Sequence, residues 1–293
     1  ILVIDIYPSA TSEYADYVLP ATDMFERADV NICGLGLQKE PFVQYTDFIV
    51  PPAAERKPEW WILQQLEAAQ GLDTATSELD DYQAAIDKLG LFDRIDHMMR
   101  QSDLDLETVR KNSTVVLPPV KSGNFFDEII QTDTGRVNCC PESFTEARAL
   151  CADIFDELES ENADQLKVIS RRTNYMINSW FHNIPSLKRP SHQTNPLYIH
   201  PEDARRHNLG DGSQVRISNR YGEVTTTVAL DESLRPGTVA ITHGWGYRGS
   251  AMKTAAKYPG CNANNLLPSG IGSFEKVSNQ SFMTGIPVEV ESC

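Results

Sequence analysis

The chain opens on a short unbroken apolar run, Ile1-Leu2-Val3-Ile4, closed by Asp5 and Ile6. A run of this kind, without alternation, predicts a parallel strand covered on both faces. It gives way to Tyr7-Pro8-Ser9-Ala10-Thr11, a polar loop at the strand's carboxyl end. In open α/β sheets ligands collect at that end. Residues 14–20 then read as a helical turn leading into a second short strand. Trp60, Trp61, Ile62, Leu63 and Leu66 fall on an amphipathic helix, with Pro58 suited to its first turn and Gly71 to its C-terminal cap. Residues 72–112 are acidic and lean to helix, with Leu79, Tyr82, Ile86 and Leu89 at three- and four-residue spacing. The most regular helical stripe is Ala147, Leu150, Cys151, Ile154, Phe155 and Leu158, and Ser143-Phe144-Thr145-Glu146 fits a capping box before it.

Beyond the polar stretch 160–164 the period changes from helical to strand. Residues 166–170, 214–218, 223–230 and 238–243 read as short strands, punctuated by turns at Asp211-Gly212, at 219–222 and at Arg235-Pro236-Gly237. Pro201 opens a short helix between them. Strands this short at this spacing predict a closed or nearly closed β-barrel.

Length and composition narrow the picture. The 293 residues suit one large domain or two ordinary ones, and 41% hydrophobic with 23% charged residues is the profile of a folded chain. No apolar run approaches the roughly 18 residues of a membrane span. The formal charge of −15 argues against a nucleic-acid or anionic-membrane binder. That average conceals a split: residues 1–166 carry 12 basic and 32 acidic side chains, residues 167–293 carry 14 and 9. The second part is therefore the one suited to an anionic ligand. The chain starts without Met inside a strand-like run, as a piece of a longer protein would. Its first 25 residues lack a basic start followed by an apolar stretch. Six cysteines show neither a C-x-x-C pair nor zinc spacing and read as thiols of a reducing, cytoplasmic compartment, with an export signal in a preceding part still compatible.

Several chemistries drop out. His243-Gly244-Trp245-Gly246 has no G-x-S-x-G partner, and Gly34-Leu35-Gly36 lacks the third glycine of a dinucleotide fingerprint. There is no P-loop and no H-E-x-x-H. Glu26 and Asp29 could move protons, but a solvated loop is the simpler reading. What remains is a concentration of amides, hydroxyls and arginines in the loops of the barrel part. Arg171, Arg172, Thr173, Asn174 and Tyr175 follow the first strand, and residues 178–183 continue the theme. Asn262, Asn264, Asn265, Ser278, Asn279 and Gln280 supply more of it. Guanidinium forks match phosphate oxygens. Carboxamides match the edge of a fused heterocycle, and Tyr175, Trp180 and Phe181 offer walls for ring packing. Any one of these Asn or Ser residues could simply populate a turn; as a set in a positive domain they point to a ligand.

Three stretches resemble the C-terminal portion of the molybdopterin oxidoreductases of the dimethyl sulfoxide reductase superfamily. They are residues 5–21 with Glu26, residues 55–63 entering the Trp60-Trp61 helix, and residues 195–204 with Leu209-Gly210-Asp211-Gly212 and Val215. Pro236-Gly237, Gly244-Trp245 and Asn262-Ala263-Asn264 continue the last. One departure stands out: where many members carry Gly-Arg, this chain reads Gly34-Leu35-Gly36-Leu37-Gln38.

The resemblance implies an α/β chain: the C-terminal part of a Rossmann-like domain (1–75), a helical or irregular connection (76–165), and a double-psi β-barrel (166–293). It implies a bis-molybdopterin guanine dinucleotide cofactor with molybdenum or tungsten, held between domains, for two-electron redox or oxo transfer on a small substrate. Arg171, Arg172, Asn178, Ser179 and His182 then occupy the first gripping loop, and Asn262, Asn264 and Gln280 the later ones. Asp5 and Tyr7 sit where the strand-end loop approaches a guanosine or pterin. The metal ligand and any iron–sulfur cluster come from the preceding part, so no catalytic residue and no metal ligand is assigned within 1–293. Implied partners are the N-terminal domains of the same protein, the small-molecule substrate and an electron-transfer subunit. Two alternatives stand beside this one: a non-redox relative acting as a hydratase or hydroxylase, and a non-catalytic binding or assembly module.

Overall fold

The computed structural model describes residues 1–31, 38, 40–72, 106–117, 123, 126, 130–162, 165–249, 251–274 and 279–293. Of the Gly34–Gln38 departure only Gln38 is described, its Oε1 accepting from the Phe42 N–H at 3.0 Å, and the stripe from Leu79 to Leu89 lies outside the described residues. The chain divides into two units, Ile1–Val137 and Asn138–Cys293.

In the first unit, β1 (Leu2–Asp5) pairs in parallel with β2 (Tyr17–Pro20), from Leu2↔Tyr17 to Asp5↔Pro20. The connection between them contains a short 3₁₀ turn at Ala10–Tyr14. After β2 the Lys57 N–H donates to the Pro20 carbonyl, and the Thr22 N–H to the Lys57 carbonyl. These bonds join the first two family-like stretches. Glu26 completes the junction. It is buried, and its carboxylate accepts from Arg56 Nη1 (2.9 and 3.0 Å), the Ala53 N–H (3.1 Å) and the Asp23 N–H (3.0 Å). Burial pushes this carboxyl up, but the two backbone N–H groups and Arg56 outweigh it and hold it below its ordinary value. Glu26 is thus a structural hub, not a member of a solvated loop.

Helix α1 (Glu59–Ala69) has Pro58 at its N-cap, one position before the first turn. Gly71, at φ +76, takes the left-handed position after the helix, where the Gly71 N–H bonds the Ala68 carbonyl and the Leu72 N–H bonds that of Glu67. A second small sheet orders β3 (Asp29–Val30), β4 (Phe42–Thr46) and β5 (Thr114–Val116), and helix α2 (Leu106–Asn112) contributes the fully buried Val109.

In the second unit, helix α3 (Thr145–Ser160) starts after a 3₁₀ turn at Glu142–Phe144, which places Phe144 at the N-cap with no side-chain cap. The expected capping box is therefore not formed, because Ser143 is already inside that turn. None of the α3 side chains is buried. Its apolar stripe is helical yet uncovered.

The barrel that follows is closed. It comprises β6 (Leu166–Ser170), β7 (Leu197–Ile199), β8 (Gln214–Asn219), β9 (Gly222–Leu230), β10 (Thr238–Ile241) and β11 (Ile286–Ser292), ordered β10-β6-β11-β8-β9-β7. Alternation explains its interior: Val215 and Ile217 of β8, Val224 and Val228 of β9, and Ile286, Val288 and Val290 of β11 point into one core with Leu166, Leu197, Ile199 and Val239. Each such side chain contributes roughly 1.5–3 kcal/mol by leaving water.

Register fixes the rims. β6 and β10 are parallel, in register Val168↔Val239, so they end together. β7 is antiparallel to β10 and β11 is antiparallel to β6, so both begin at that same rim. β9, parallel to β7, begins there too. Residues 171–196, 242–249, 251–274 and 279–285 and the 219–222 hairpin turn therefore gather at one rim. The opposite rim carries 200–213, with helix α4 (Pro201–Arg206), and 231–237. It is tied by Asp203, whose Oδ2 accepts from the Gly237 N–H at 2.7 Å. Among the described residues no helix is long and apolar enough to cross a membrane, and no group of His, Cys, Asp and Glu could hold a metal ion.

Candidate functional site

The two long connections of the first rim carry most of the sequence-derived candidates, and a polar network joins them. His243 Nδ1 lies 2.8 Å from Ser170 Oγ, and His243 Nε2 lies 2.9 Å from Asn178 Oδ1. The Asn178 oxygen only accepts, whereas Arg172 Nη1, 3.3 Å from the same Nε2, only donates, so the two contacts call for opposite tautomers of this ring. Arg172 Nη1 donates to the same Asn178 oxygen at 3.2 Å. Burial, reinforced by the Arg172 charge, holds His243 below its ordinary value, which agrees with a neutral ring. Arg172 and Asn178 stay exposed.

Backbones approach closely here. Asn178 sits at φ +49, and a Cβ on Gly244 (φ +86) would fall 1.9 Å from the Asn178 carbonyl oxygen. Only glycine lets the two loops meet. Asn195, almost fully buried, clamps the rim further: its Nδ2 donates to the carbonyls of Thr242 (2.8 Å) and Cys261 (2.9 Å), and its Oδ1 accepts from the Cys261 N–H (2.9 Å). Asn183 Oδ1 accepts from the Thr254 N–H at 3.0 Å, which caps helix α5 (Lys253–Lys257).

Beneath these loops lies a buried cluster. His182 is 2% exposed, with its ring edge-on to Trp245 (centroids 4.8 Å apart, 67°). Lys188, 7% exposed, sets its Nζ 3.1 Å from His182 Nδ1 and 3.9 Å above the Trp245 ring. Burial, with the Lys188 charge beside it, takes His182 down to about 4, and burial takes Lys188 down to about 8. His182 Nε2 and Trp245 Nε1 are buried with no hydrogen-bond partner among the described residues.

The other candidates divide. Arg171 is engaged elsewhere: it lies 3.9 Å over the Tyr198 ring and pairs with Asp231 at 2.5 Å. Asp231 is held down to about 2, first by the Ser233 hydroxyl and then by Arg171. Tyr175 stacks on His192 at 3.7 Å and 7°, whereas Trp180 is 66% exposed. Asn262 Oδ1 caps the 3₁₀ turn Ala263–Leu266 by accepting from the Asn264 N–H. Ser179, Asn264 and Gln280 are exposed. In the first unit, Asp5 ends β1 with its Oδ1 accepting from the Ile6 N–H at 2.8 Å, and Tyr7 is exposed just beyond.

Sequence reasoning missed Lys188, His243 and Asn195 as members of this rim. The glycines flanking Trp245 were the available signal, since paired glycines beside a buried aromatic mark close backbone approach. A polyanionic group with polar ring edges fits what is present. Arg172 and exposed carboxamides supply charge and paired donors and acceptors, and the Trp245 N–H and His182 Nε2, unpartnered among the described residues, are polar positions that burial makes costly to leave unmade.

Comparison with known proteins bears on the same segments. The family model described as "Molydopterin dinucleotide binding domain" matches residues 166–280, and that described as "Molybdopterin oxidoreductase" matches residues 1–69. The thiosulfate reductase molybdopterin-containing subunit PhsA of Salmonella typhimurium is 23% identical, over 90% of this chain and 36% of its own length. The trimethylamine-N-oxide reductase of Haemophilus influenzae is 24% identical, over 84% and 32%. The structure of acetylene hydratase from Pelobacter acetylenicus matches with a TM-score of 0.69 at 18% identity, covering 100% of this chain and 40% of that one. The chain spans about a third of the length of these two sequence relatives.

Proposed function

This chain belongs to the molybdopterin oxidoreductases of the dimethyl sulfoxide reductase family, and from that premise we propose that its barrel rim grips a bis-molybdopterin guanine dinucleotide. The carrying observation is the gathering of residues 171–183, 242–249 and 259–266 at one rim, with buried polar ring nitrogens that have no partner among the described residues. Arg172 faces a diphosphate, while Asn178, Ser179, Asn262, Asn264 and Gln280 meet polar ring and ribose edges. His182 donates from below. Arg171 supports the loop through Asp231 rather than by direct contact. Asp5 and Tyr7 serve a guanosine or pterin from the first unit. The barrel is of the double-psi type, and the first unit is the C-terminal part of a Rossmann-like domain. When bound, the metal and pterins supply two-electron redox or oxo-transfer chemistry. This polypeptide binds, orients and excludes water, within a longer protein whose preceding domains hold the metal ligand. A small-molecule substrate and an electron-transfer subunit complete the proposal.

In the intact protein, Asn264→Ala is expected to lower molybdenum and pterin content more than it lowers the melting temperature. Equal metal content in variant and parent contradicts the reading. A second reading, hydration without net redox change, is favoured by the whole-chain match to acetylene hydratase. Turnover with an electron-acceptor dye separates the two.

A further inference from the structure

We propose that Lys188 is a positioning residue: it fixes His182 as the neutral ring protonated on Nε2, so that the rim presents a directed hydrogen-bond donor to an acceptor atom of the bound pterin dinucleotide. The inference rests on the cofactor reading above and adds to it a residue and a direction. Lys188 Nζ is 3.1 Å from His182 Nδ1, and no carboxylate pairs with it among the described residues. An ammonium has three donors and no acceptor, so Nδ1 must accept and the ring proton must sit on Nε2. The Trp245 face holds the ammonium at 3.9 Å while its ring meets His182 edge-on, which restrains both groups. His182 Nε2 is buried and unpartnered among the described residues, a donor held ready. Between about pH 4 and about pH 8 the pair is one cation and one neutral ring. A carboxylate in place of Lys188 would take its proton from Nδ1 and leave Nε2 an acceptor. The choice of an ammonium therefore sets the polarity of the contact.

The test uses the intact protein expressed in a host that makes the cofactor. Pterin released per polypeptide and the melting temperature of the cofactor-free form are measured together. Lys188→Met keeps the stem against Trp245 and removes the donor. Pterin content is expected to fall about five-fold, as loss of one directed hydrogen bond implies. The cofactor-free melting temperature is expected to hold or rise, because a buried unpaired cation is gone. Lys188→Gln satisfies Nδ1 in either direction, so it repairs a packing role but not the fixed tautomer, and it too is expected to lose pterin. In a His182→Gln background the amide supplies its own donor, and Lys188→Met is expected to cost nothing more. Equal loss in both backgrounds, a loss that follows the cofactor-free melting temperature, full pterin in Lys188→Gln, or unchanged pterin in Lys188→Met each overturns the inference. A parent protein purified without pterin overturns the cofactor reading instead.

Discussion

The two units solve the burial problem in different ways. In the barrel, alternating strands turn Val215, Ile217, Val224, Val228, Val288 and Val290 onto one another, and closure leaves no edge. In the first unit, β1 and β2 form a two-stranded parallel sheet whose Leu2, Tyr17 and Val18 are 42%, 71% and 41% exposed. Two strands alone are marginal in water, and parallel strands are ordinarily covered on both faces. Beside β2 stand the Glu26 hub and the backbone bonds that tie Pro20 and Thr22 to Lys57, while buried apolar side chains of this unit, Ala21, Val30, Val43, Ile62 and Val109, lie outside the two strands. The difference teaches where order originates. Within residues 1–293 the barrel carries its own core and can hold rim loops in fixed geometry, whereas no side chain of β1 or β2 is buried by this chain alone.

Excision breaks or sharpens that comparison most strongly. Residues 138–293 expressed alone are expected to unfold in one cooperative thermal transition, and residues 1–137 alone without one; a cooperative calorimetric peak for 1–137 removes the contrast. Next in size is Asn195→Ala, which strips three hydrogen bonds from buried groups and is expected to cost about 3 kcal/mol in denaturant melts of the barrel unit. Glu26→Gln is expected to cost about 2 kcal/mol, seen as faster proteolysis confined to the first unit. Its sign with pH follows from the lowered carboxyl: the stabilisation is present above the ordinary value of 4.5 and is lost as pH falls through the lower folded value. Lys188 adds an effect that is read against pH. Its folded value of about 8 lies below the ordinary 10.5, so the unfolded chain binds more protons between them. Stability of the cofactor-free parent should therefore rise with pH across that window, and Lys188→Met should flatten the rise; identical curves refute it.

Much of the barrel was legible. The predicted strand 166–170 is β6 itself, and 214–218 and 223–230 extend by one residue each to Asn219 and Gly222. Alternation is local, and turn residues punctuate it. Partner choice is not local. Nothing near Arg171 in sequence says that Asp231, beyond three more strands, will take its guanidinium, or that His192 will stack on Tyr175. Lys188 reads as an ordinary surface lysine until the fold places Trp245 and His182 against it. The α3 stripe shows the converse failure: the period gave a helix from Thr145, but no period says what covers Phe155, which is 57% exposed. The rim became visible only once register showed which connections leave the barrel at the same end.

Hydrogen exchange of the intact protein, with and without its cofactor, tests that rim most directly. Slowed exchange is expected in peptides covering 171–183, 242–249 and 259–266, with 200–213 and 231–237 unchanged as the opposite rim. Protection of the opposite rim, with none in the first three segments, would contradict the account.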